Sequence, residues 1–547
     1  MMLEDRMSIQ AIESETILAS NGLDRDTKRI VFAAALGTVF EWYDFFVYGS
    51  LAAFFSTLFF PKGNDTAALL AALATFGAGF VLRPLGAIVF GRLGDLVGRK
   101  KTFLVTMLVM GLATAAVGLL PSFETFGWWA PTILVGLRLL QGLAVGGEFG
   151  GAVTYVAEHS DPDKRGFTTS WIQITATLGL FLSLAVIILC RSSMSAESFS
   201  SWGWRIPFIG SIALLILSLY IRLKLHESPV FQQMKAEGKG SKNPIADTFG
   251  DRRNLRLVLV AIFGVVAGQA VIWYTGHFYS LYFMTTALKM SQDQANFYLL
   301  VALILGTPFF LFFGWLSDKV GRKWIVVTGC ALSALLIMPL FQSLATYGNP
   351  ALAEFRAKTS VVVHGDDCSE DQSWIGQLFR PQATKECTRA KAFLTANAVP
   401  YVVKADTASL SVQINDDPAT AFDGAKLLKE LTERGLPSAK APAQPNGPMV
   451  IAILFALVFL ATMVYGPLGA LLVELFPVHI RYSGVSVALQ LGNGWIGGFA
   501  PFVATTVVIA SGDIFGGLWY TIAFAGLTAI IGALFLPETR GRDIRGQ

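Results

Sequence analysis

The sequence predicts an all-α polytopic membrane protein, with twelve transmembrane helices in two pseudo-symmetric six-helix halves and a small α+β extracytoplasmic insert. Three observations support this fold class. Of the 547 residues, 53% are hydrophobic and only 15% are charged, well below the roughly 25% charged residues of soluble domains. The hydrophobic residues occur in runs long enough to cross a hydrocarbon core of about 30 Å. One basic loop motif also occurs twice, at corresponding positions of the two halves.

Each predicted transmembrane helix is a long apolar run bounded by polar residues. Helices are expected because a backbone inside lipid must satisfy its own hydrogen bonds. The predicted helices cover residues 30–60, 67–91, 102–120, 128–157, 168–191, 203–224, 257–286, 295–316, 324–346, 449–473, 483–510 and 515–536.

Basic residues are concentrated in alternate connections, and this asymmetry predicts the orientation. Arg99 and Lys100 follow the second helix, and Arg322 and Lys323 follow the eighth. Cytoplasmic loops are the richer in lysine and arginine, so we expect a multi-pass protein of the bacterial cytoplasmic (inner) membrane with both termini in the cytoplasm. The net charge of +4 is explained by these loops rather than by a nucleic-acid partner. Residues 1–28, a cytoplasmic tail, lack the pattern of a removable signal peptide.

Two polar segments divide the apolar sequence into domains. Residues 225–256 form a basic segment that we interpret as a cytoplasmic linker between the two halves. The predicted N-terminal half covers 29–224, the C-terminal half covers 257–346 and 448–536, and a cytoplasmic tail covers 537–547.

Residues 347–447 form the second polar segment, between the ninth and tenth predicted helices. Short apolar stretches alternate there with charged residues, and residues 423–434 have helical periodicity, so we expect a folded α+β insert. The helix count places it outside the cytoplasm, in the periplasm. Cys368 and Cys387 would meet oxidising conditions there and could form a disulfide; two unpaired cysteines are the alternative.

The repeated motif reads GRLGDLVGRK at 91–100 and GWLSDKVGRK at 314–323. A stop-transfer loop would explain one copy, but two matched copies indicate a duplicated transporter. With FEWYDFFVYG at 40–49, RLLQGLAVGGEFGGA at 138–152 and ELFPVHIRYSGVS at 474–486, the sequence resembles the metabolite:proton symporter family of the major facilitator superfamily. That family includes permeases for shikimate, 2-oxoglutarate, citrate and proline/betaine. The resemblance implies alternating access and proton-coupled uptake, driven by the proton gradient without a cofactor.

Ionisable residues inside predicted helices are candidates for proton coupling, because burying a charge in lipid is costly. Asp44 and Arg138 lie at similar depth and could pair. Arg83, Glu41 and Glu148 lie at similar depth as a second group, in which two acids near one arginine would leave one acid easier to protonate. The alternative is a set of static ion pairs that hold helices together.

The R-x-x-Q-G sequence that begins at Arg138 and includes Gln141 matches, by family resemblance, a fourth-helix motif linked to proton coupling, and Gln141 is also a candidate substrate-binding residue. Arg83 could bind an anionic substrate through its guanidinium, or pack structurally beside the loop.

Substrate-binding candidates also lie on the seventh and eleventh predicted helices. Gln269, Trp273 and His277 share one face of the seventh helix, beside Tyr274, and this mixture of polar and aromatic groups suits a cavity. Core or interfacial aromatics, and a packing role for His277, are the alternatives. Amides on the eleventh helix either bind substrate or bridge helices; they are Gln490 and Asn493.

The motif loops predict a cytoplasmic gate that joins the two halves. The predicted gate residues are Gly91, Asp95, Gly98, Arg99, Asp318, Gly321 and Arg322. Glu227, Glu474 and Glu538 are their acidic partners by family resemblance. Single surface ion pairs are weak, which suits a gate that must open; ordinary anchoring charges are the alternative.

Transport is the predicted function, by proton-coupled symport of a small organic acid or zwitterion. The sequence has no HExxH, GxSxG, Walker or CxxC motif, so no enzyme activity and no metal are expected. A transporter-like sensor and an uncoupled facilitator, either using the insert for ligand recognition, are the alternatives. The expected partners are the substrate, protons and the lipid bilayer, with no nucleic acid, and a monomer is expected.

Overall fold

Apolar helices fill both halves of the computed structural model. It describes residues 25–62, 65–97, 99–146, 149–158, 160–223, 249–365, 368, 386–404, 409–437, 444–542 and 544. In these ranges ten helices are long and apolar enough to cross a membrane, and Leu104–Leu119 is a shorter apolar helix. The all-α polytopic fold class is therefore confirmed.

The N-terminal half begins with α1, which is followed after Leu51 by α2. Its described helices are α1 (Arg25–Ser50), α2 (Ala52–Phe59), α3 (Asp65–Val81), α4 (Arg83–Val97), α5 (Arg99–Leu119), α6 (Phe123–Phe126), α7 (Trp129–Gly146), α8 (Phe149–Glu158), α9 (Arg165–Ser192), α10 (Ala196–Ser201), α11 (Ile206–Ile209) and α12 (Ser211–Leu223). Glycines bring α7 against α3 and α4: a Cβ at Gly142 would lie 2.0 Å from the Gly79 carbonyl oxygen, and one at Gly146 2.1 Å from the Arg83 carbonyl oxygen. Such close approach between membrane helices requires small residues.

The seventh membrane span, which begins the C-terminal half, alternates between α-helix and π-helix. It consists of α13 (Arg252–Ala261), a π-turn (Ile262–Val266), α14 (Ala267–Tyr274), a π-turn (Thr275–Tyr279), α15 (Ser280–Tyr282) and a π-turn (Phe283–Ala287). The span begins at Arg252 rather than at the predicted residue 257, because Asp251 caps it: its carboxylate accepts the Arg253 N–H at 2.8 Å. Insertions of this type are frequent at functional sites.

The remaining helices of the C-terminal half flank the insert in sequence. They are α16 (Gln292–Gly306), α17 (Pro308–Val320), α18 (Lys323–Gly348), α22 (Gly447–Tyr465), α23 (Leu468–Leu475), α24 (Val478–Leu489), a π-helix (Gln490–Gly497), α25 (Ala500–Ser511) and α26 (Leu518–Phe535). The halves meet where α9 packs against α17 and α23.

The insert is a small α+β unit with its own apolar core. Its elements are α19 (Pro350–Lys358), β1 (Val361–His364), α20 (Glu386–Ala396), β2 (Val402–Lys404), β3 (Ser411–Ile414), β4 (Thr420–Ala421) and α21 (Gly424–Glu433). The strand order is β2-β1-β3-β4, with β1 parallel to β2 and antiparallel to β3. Val361 and Val363 face the core because side chains alternate along a strand.

A disulfide joins Cys368, shortly after β1, to Cys387 near the start of α20, with their Cα atoms 5.6 Å apart. The other two cysteines, Cys190 and Cys330, are free and buried. We call the end of the helical bundle that carries the insert the insert end, and the opposite end, where α17 meets α18, the basic end.

Candidate functional site

Arg138 is fully buried in the middle of the N-terminal half. Its Nη1 donates to Gln141 Oε1 at 2.6 Å and to the Phe45 carbonyl oxygen at 3.3 Å. The guanidinium carbon lies 4.3 Å from the centre of the Phe45 ring and 4.7 Å from that of Tyr48, which are cation–π distances. Among the described residues, Nε and Nη2 have no hydrogen-bond partner. Two donors therefore remain available to an acceptor that enters the site.

Gln141 connects Arg138 to the third membrane span. Its Nε2 donates to Thr114 Oγ1 at 2.8 Å, while its Oε1 accepts from Arg138. A buried amide satisfied at both ends holds the arginine in one orientation. Both ends of the Gln141 amide are thus occupied in this conformation, and its predicted contact with substrate stays a prediction.

Arg83 begins α4 and is also buried. Its guanidinium carbon lies 4.2 Å from the Phe80 ring centre and 4.4 Å from that of Phe45. Its Nε and Nη2 have no hydrogen-bond partner in the described structure. The Phe45 ring thus lies against both arginines, and the aromatic rings replace part of the hydration that the two cations lose.

The expected ion pair between Asp44 and Arg138 is absent from the described ion pairs of this structure. Asp44 is buried, and its Oδ1 has no hydrogen-bond partner in the described part of the chain. Similar depth did not bring the charges together, because adjacent residues of a helix point about 100° apart. Arg138 meets the ring and carbonyl of Phe45, the next residue on α1.

The second predicted group stays a prediction. Glu41 is buried on α1, whereas Glu148 lies outside the described residues. Three aromatic rings lie over the Arg83 guanidinium: those of Phe45 and Phe80 described above, and that of Trp42, with its centre 5.4 Å from the guanidinium carbon.

The polar face of the seventh span lies against the N-terminal half. Trp273 Nε1 donates to Thr177 Oγ1 of α9 at 3.4 Å, and the Trp273 ring centre lies 5.2 Å from that of Phe46. His277 stacks on Trp273, with ring centres 4.4 Å apart, and its Nδ1 lies 2.7 Å from the Trp273 carbonyl oxygen. Neighbouring Tyr274 is buried, with its ring edge-on to Phe80 at 5.3 Å.

Two side chains on this face have polar atoms without a hydrogen-bond partner among the described residues. Both amide atoms of Gln269 and the Nε2 of His277 are buried without a hydrogen bond to any described residue. A buried polar group without a partner costs roughly 1–3 kcal/mol. Such groups are therefore candidates for binding a substrate or water.

Gln173 on α9 is a candidate that the sequence reasoning missed. It is fully buried, and neither of its amide atoms has a hydrogen-bond partner among the described residues. Its Nε2 faces α23 of the other half, where a Cβ at Gly469 would lie 2.7 Å away. The available signal was a row of polar residues spaced by four along an apolar helix, Thr169, Gln173 and Thr177.

The two amides of the eleventh span differ. Gln490 Nε2 donates to the Gly146 carbonyl oxygen of α7 at 3.3 Å, which fits the helix-bridging alternative. Asn493 is half-buried, and its role stays a prediction.

The basic end closes the bundle with buried charges. Glu474 accepts from Arg165 of the other half at 2.8 Å and from Arg322 of its own half at 3.2 Å. Asp318 accepts the backbone N–H groups of Gly166 and Phe167, both at 2.8 Å. These N–H groups open α9, where the helix dipole favours a negative charge.

A second cross-half pair mirrors the first. Arg481 Nη1 lies 3.3 Å from Glu158 Oε1. Glu158 precedes Arg165 by the same spacing as Glu474 precedes Arg481, and each glutamate binds the arginine of the opposite half. This duplicated glutamate–arginine spacing was the signal from which Glu158, Arg165 and Arg481 could have been found.

Glu538 acts within the C-terminal half. Its carboxylate accepts the N–H groups of Arg322 at 2.8 Å and Lys323 at 3.2 Å, and those of Thr539 and Arg540 at 2.9 and 3.0 Å. Burial acts to raise the pKa of Glu538, but these N–H groups prevail and lower it.

Gly321 precedes Arg322 at a φ of 103°. A Cβ there would lie 2.5 Å from Glu538 Oε2, so the position requires glycine.

The predicted gate is therefore split. Asp318 and Glu474 join the halves, whereas the described ion pairs of Arg322 and the hydrogen bonds of Glu538 lie inside the C-terminal half. Gly98 and Glu227 lie outside the described residues. Gly91, Asp95 and Arg99 belong to α4 and α5, but their side chains lie outside the described part.

The halves also meet at the insert end. Arg191 of α9 pairs with Asp293 of α16, and the Tyr282 hydroxyl donates to the Gly49 carbonyl oxygen at 2.8 Å. The central polar groups thus lie between two sets of contacts that join the halves.

Two family models match the chain. The model described as "Sugar (and other) transporter" matches residues 30–251 and 435–547, and that described as "MFS/sugar transport protein" matches 151–353. These matches include the elements that carry Asp44, Arg83, Arg138 and the two cross-half ion pairs.

Curated relatives cover most of the chain. The inner membrane metabolite transport protein YhjE of Escherichia coli is 30% identical over 521 residues, which are 94% of this chain and 95% of that protein. The shikimate transporter of Escherichia coli is 36% identical over 323 residues, 58% of this chain and 72% of that protein.

A solved structure shares the fold. The proton:xylose symporter XylE bound to 6-bromo-6-deoxy-D-glucose matches with a TM-score of 0.63 and 16% identity, over 95% of this chain and 97% of that one. At this identity the likeness shows the fold alone.

Proposed function

Since the chain belongs to the sugar (and other) transporter family of the major facilitator superfamily, we propose that it is a proton-coupled symporter for a small organic acid. The family places it among membrane transporters rather than enzymes. The observation that carries the substrate class is the pair of buried arginines, Arg83 and Arg138, each with two donor nitrogens that no described residue accepts from. A carboxylate accepts such donors in strong, charge-assisted hydrogen bonds.

The remaining unpartnered groups support a binding site at the boundary between the halves. Gln173 belongs to the N-terminal half, and Gln269 and His277 belong to the C-terminal half. Binding sites of transporters built from repeats lie at the interface of the repeats. A substrate held by groups from both halves would respond when the halves rock against each other.

Asp44 is the proposed proton carrier. It is a buried acid without an ion pair among the described residues, so its charge is not committed to holding helices together. Glu41 and Glu148 are the alternative carriers.

The basic end is proposed to face the cytoplasm and the insert end the periplasm, in the inner membrane. The basic residues of the loops support this orientation, with both termini in the cytoplasm. In that orientation the cross-half pairs of Glu474 and Glu158 form the cytoplasmic gate, which must separate when substrate is released inside. A monomer suffices for this mechanism.

A zwitterion such as betaine is the second candidate substrate. Its quaternary ammonium would bind over aromatic rings, and Trp273 lies between Phe46 and Tyr465, with ring centres at 5.2 and 6.5 Å. If uptake does not require a pH gradient, the competing functions are an uncoupled facilitator and a transporter-like sensor.

Uptake into proteoliposomes tests the proposal. Radiolabelled shikimate, 2-oxoglutarate, proline and betaine are supplied outside, with and without an inward proton gradient. We expect accumulation of at least one organic acid, at least about tenfold above equilibrium, and its collapse by a protonophore.

Asp44→Asn is the diagnostic variant. It should abolish accumulation while retaining exchange of external for internal substrate, because exchange needs no net proton movement. Glu124→Gln, at an exposed pair with Lys62, is the matched control and should accumulate normally. Normal accumulation by Asp44→Asn would contradict its assignment as carrier.

A further inference from the structure

A cavity of about 260 Å³ lies where the insert covers the insert end of the bundle. Three parts of the molecule line it. The N-terminal half contributes Ser56, the C-terminal half contributes Thr286, Lys289 and Thr505, and the insert contributes Thr395. The cavity is thus on the boundary between the halves, outside the central site.

The cavity exists because the insert is docked at defined contacts. The Tyr401 hydroxyl donates to the Ile509 carbonyl oxygen at 2.6 Å, and the Tyr401 N–H donates to the Gly512 carbonyl oxygen at 3.3 Å. Gly512 ends α25 at a φ of 74°, and a Cβ there would lie 2.2 Å from the Tyr401 carbonyl oxygen. The insert is therefore fitted to the end of α25 rather than tethered above it.

Two cations, one in the cavity lining and one just behind it, have no acidic partner among the described residues. Lys289 Nζ donates to the Ala396 carbonyl oxygen at 2.6 Å. Arg356 donates to the Ala398 carbonyl oxygen at 2.9 and 3.1 Å, and to the Ala287 carbonyl oxygen at 2.6 Å. Neither cation forms an ion pair with a described residue, and the cavity lining includes no described acidic side chain.

Arg356 also has an unused donor. Its Nη1 is buried, and no described residue accepts from it. The carbonyl groups it does bind, on Ala287 and Ala398, belong to residues of the cavity wall. The Arg356 guanidinium therefore lies just behind the cavity wall, close to Lys289, and adds positive potential there. Two neighbouring cations without a counter-ion attract an anion.

The backbone is strained at the same place. Lys289 has a φ of 55° and Ala398 a φ of 57°, two of the three non-glycine residues with positive φ in the described chain. Such residues are uncommon and cluster at functional sites. Both line the cavity.

The protonation of Lys289 responds to its surroundings. Its side chain is exposed where it borders the cavity, while its Nζ lies against the Ala396 carbonyl oxygen and loses water on that side. This desolvation, together with the charge of Arg356, lowers the pKa of Lys289 to about 8. An anion in the cavity would raise that pKa, so anion binding should be strong below pH 8 and weaken as pH rises further. Arg356 is the charged side chain described beside it, and the rest of the lining is uncharged.

We propose that this cavity is a vestibule site that binds the carboxylate of a small organic anion through Lys289, with Arg356 adding attraction from behind the wall. This site rests on the proposed function and adds a step to it. The site would hold the substrate before the insert end opens to the central site. The threonine and serine hydroxyls of the lining would contact the remainder of the ligand.

Chemical modification tests the site without transport. The full chain in nanodiscs is treated at pH 7.5 with an amine-reactive reagent, and the modification rates of Lys289 and Lys62 are measured by peptide mass spectrometry. Lys62, which is exposed and paired with Glu124, is the internal control. We expect shikimate to slow modification of Lys289 at least about fivefold relative to Lys62, and its neutral methyl ester to have no effect.

Sodium chloride and sodium phosphate at matched ionic strength distinguish an organic carboxylate from any anion. Equal protection by either salt would overturn the assignment, as would equal protection by the methyl ester. Protection that persists unchanged at pH 9.5 would also contradict a role for the charged amine.

Kinetics of the variants separate this site from the central one. Lys289→Met should raise the KM for shikimate uptake from the insert side about tenfold, leave the KM from the basic side unchanged, and be rescued by Lys289→Arg. An unchanged KM on both sides, in a protein that still transports, would overturn the vestibule while the proposed function stands. Failure of every carboxylate to be transported would instead defeat the proposed function.

Discussion

Buried charges occur in two regions of this molecule, and the two regions differ in how far those charges are paired and hydrogen-bonded. At the basic end, the described charges of Glu474, Arg322 and Arg165 are each paired and hydrogen-bonded. In the centre, Asp44 and Arg83 each retain side-chain atoms that no described residue satisfies. Burial of a charged group without a partner is costly, so these central groups are candidates to bind a substrate, a proton or water. In the proposed mechanism, the paired charges form the gate and the charges without a described partner lie on the path of substrate and protons.

The largest expected effect on stability comes from breaking a paired charge. Glu474→Gln removes the anion that Arg165 and Arg322 share, and should cost about 3–5 kcal/mol of unfolding free energy because two cations stay buried. Denaturant unfolding of the purified protein in detergent measures it. Glu124→Gln is the control at an exposed pair, where the loss should stay below about 1 kcal/mol. If both variants lose the same unfolding free energy, the buried pairs of Glu474 contribute no more to stability than an exposed ion pair does.

A glycine at the gate should matter next. Gly321→Ala forces a side chain into a backbone conformation at φ 103° and towards Glu538, at a cost of about 1–3 kcal/mol. The same unfolding assay applies. Gly136→Ala, at a helical glycine with open space around it, is the control and should be neutral or slightly stabilising. A neutral Gly321→Ala would show that the Glu538 contacts do not hold the loop.

The smallest expected effect on stability comes from a pair of buried glutamines, one hydrogen-bonded and one not hydrogen-bonded to any described residue. Gln141 is hydrogen-bonded at both ends, whereas Gln173 has no partner among the described residues. Gln141→Leu should cost about 1–3 kcal/mol, because Arg138 and Thr114 lose their partner. Gln173→Leu should leave stability unchanged or higher, yet reduce uptake at least tenfold.

Uptake and unfolding measured on the same two preparations decide this prediction. If Gln173→Leu destabilises the protein as much as Gln141→Leu does, then Gln173 has a structural partner and is not a binding residue.

The sequence predicted the parts of the molecule that composition and repetition encode. Apolar runs located the spans, and the repeated loop located Asp318 and Arg322. Depth in the membrane did not predict the partner of Arg138, because depth fixes height along a helix and leaves the direction of the side chain open.

Other residues needed the folded structure. The repeated spacing marks Glu158 and Arg165 in the sequence, but it does not say that each pairs with the opposite half, which follows only from the contacts in the structure. The docking of the insert on Gly512 depends on a fit between distant segments, which no local pattern encodes.

The state of the four cysteines makes the wild-type chain a convenient template for spectroscopic labelling. Two are joined to each other, and the other two are buried away from solvent. Under non-reducing conditions, a nitroxide or fluorophore reagent would react preferentially with an engineered surface cysteine at either end of the bundle. Pairs of labels across the two ends would then report the opening distances of this transporter without first removing native thiols.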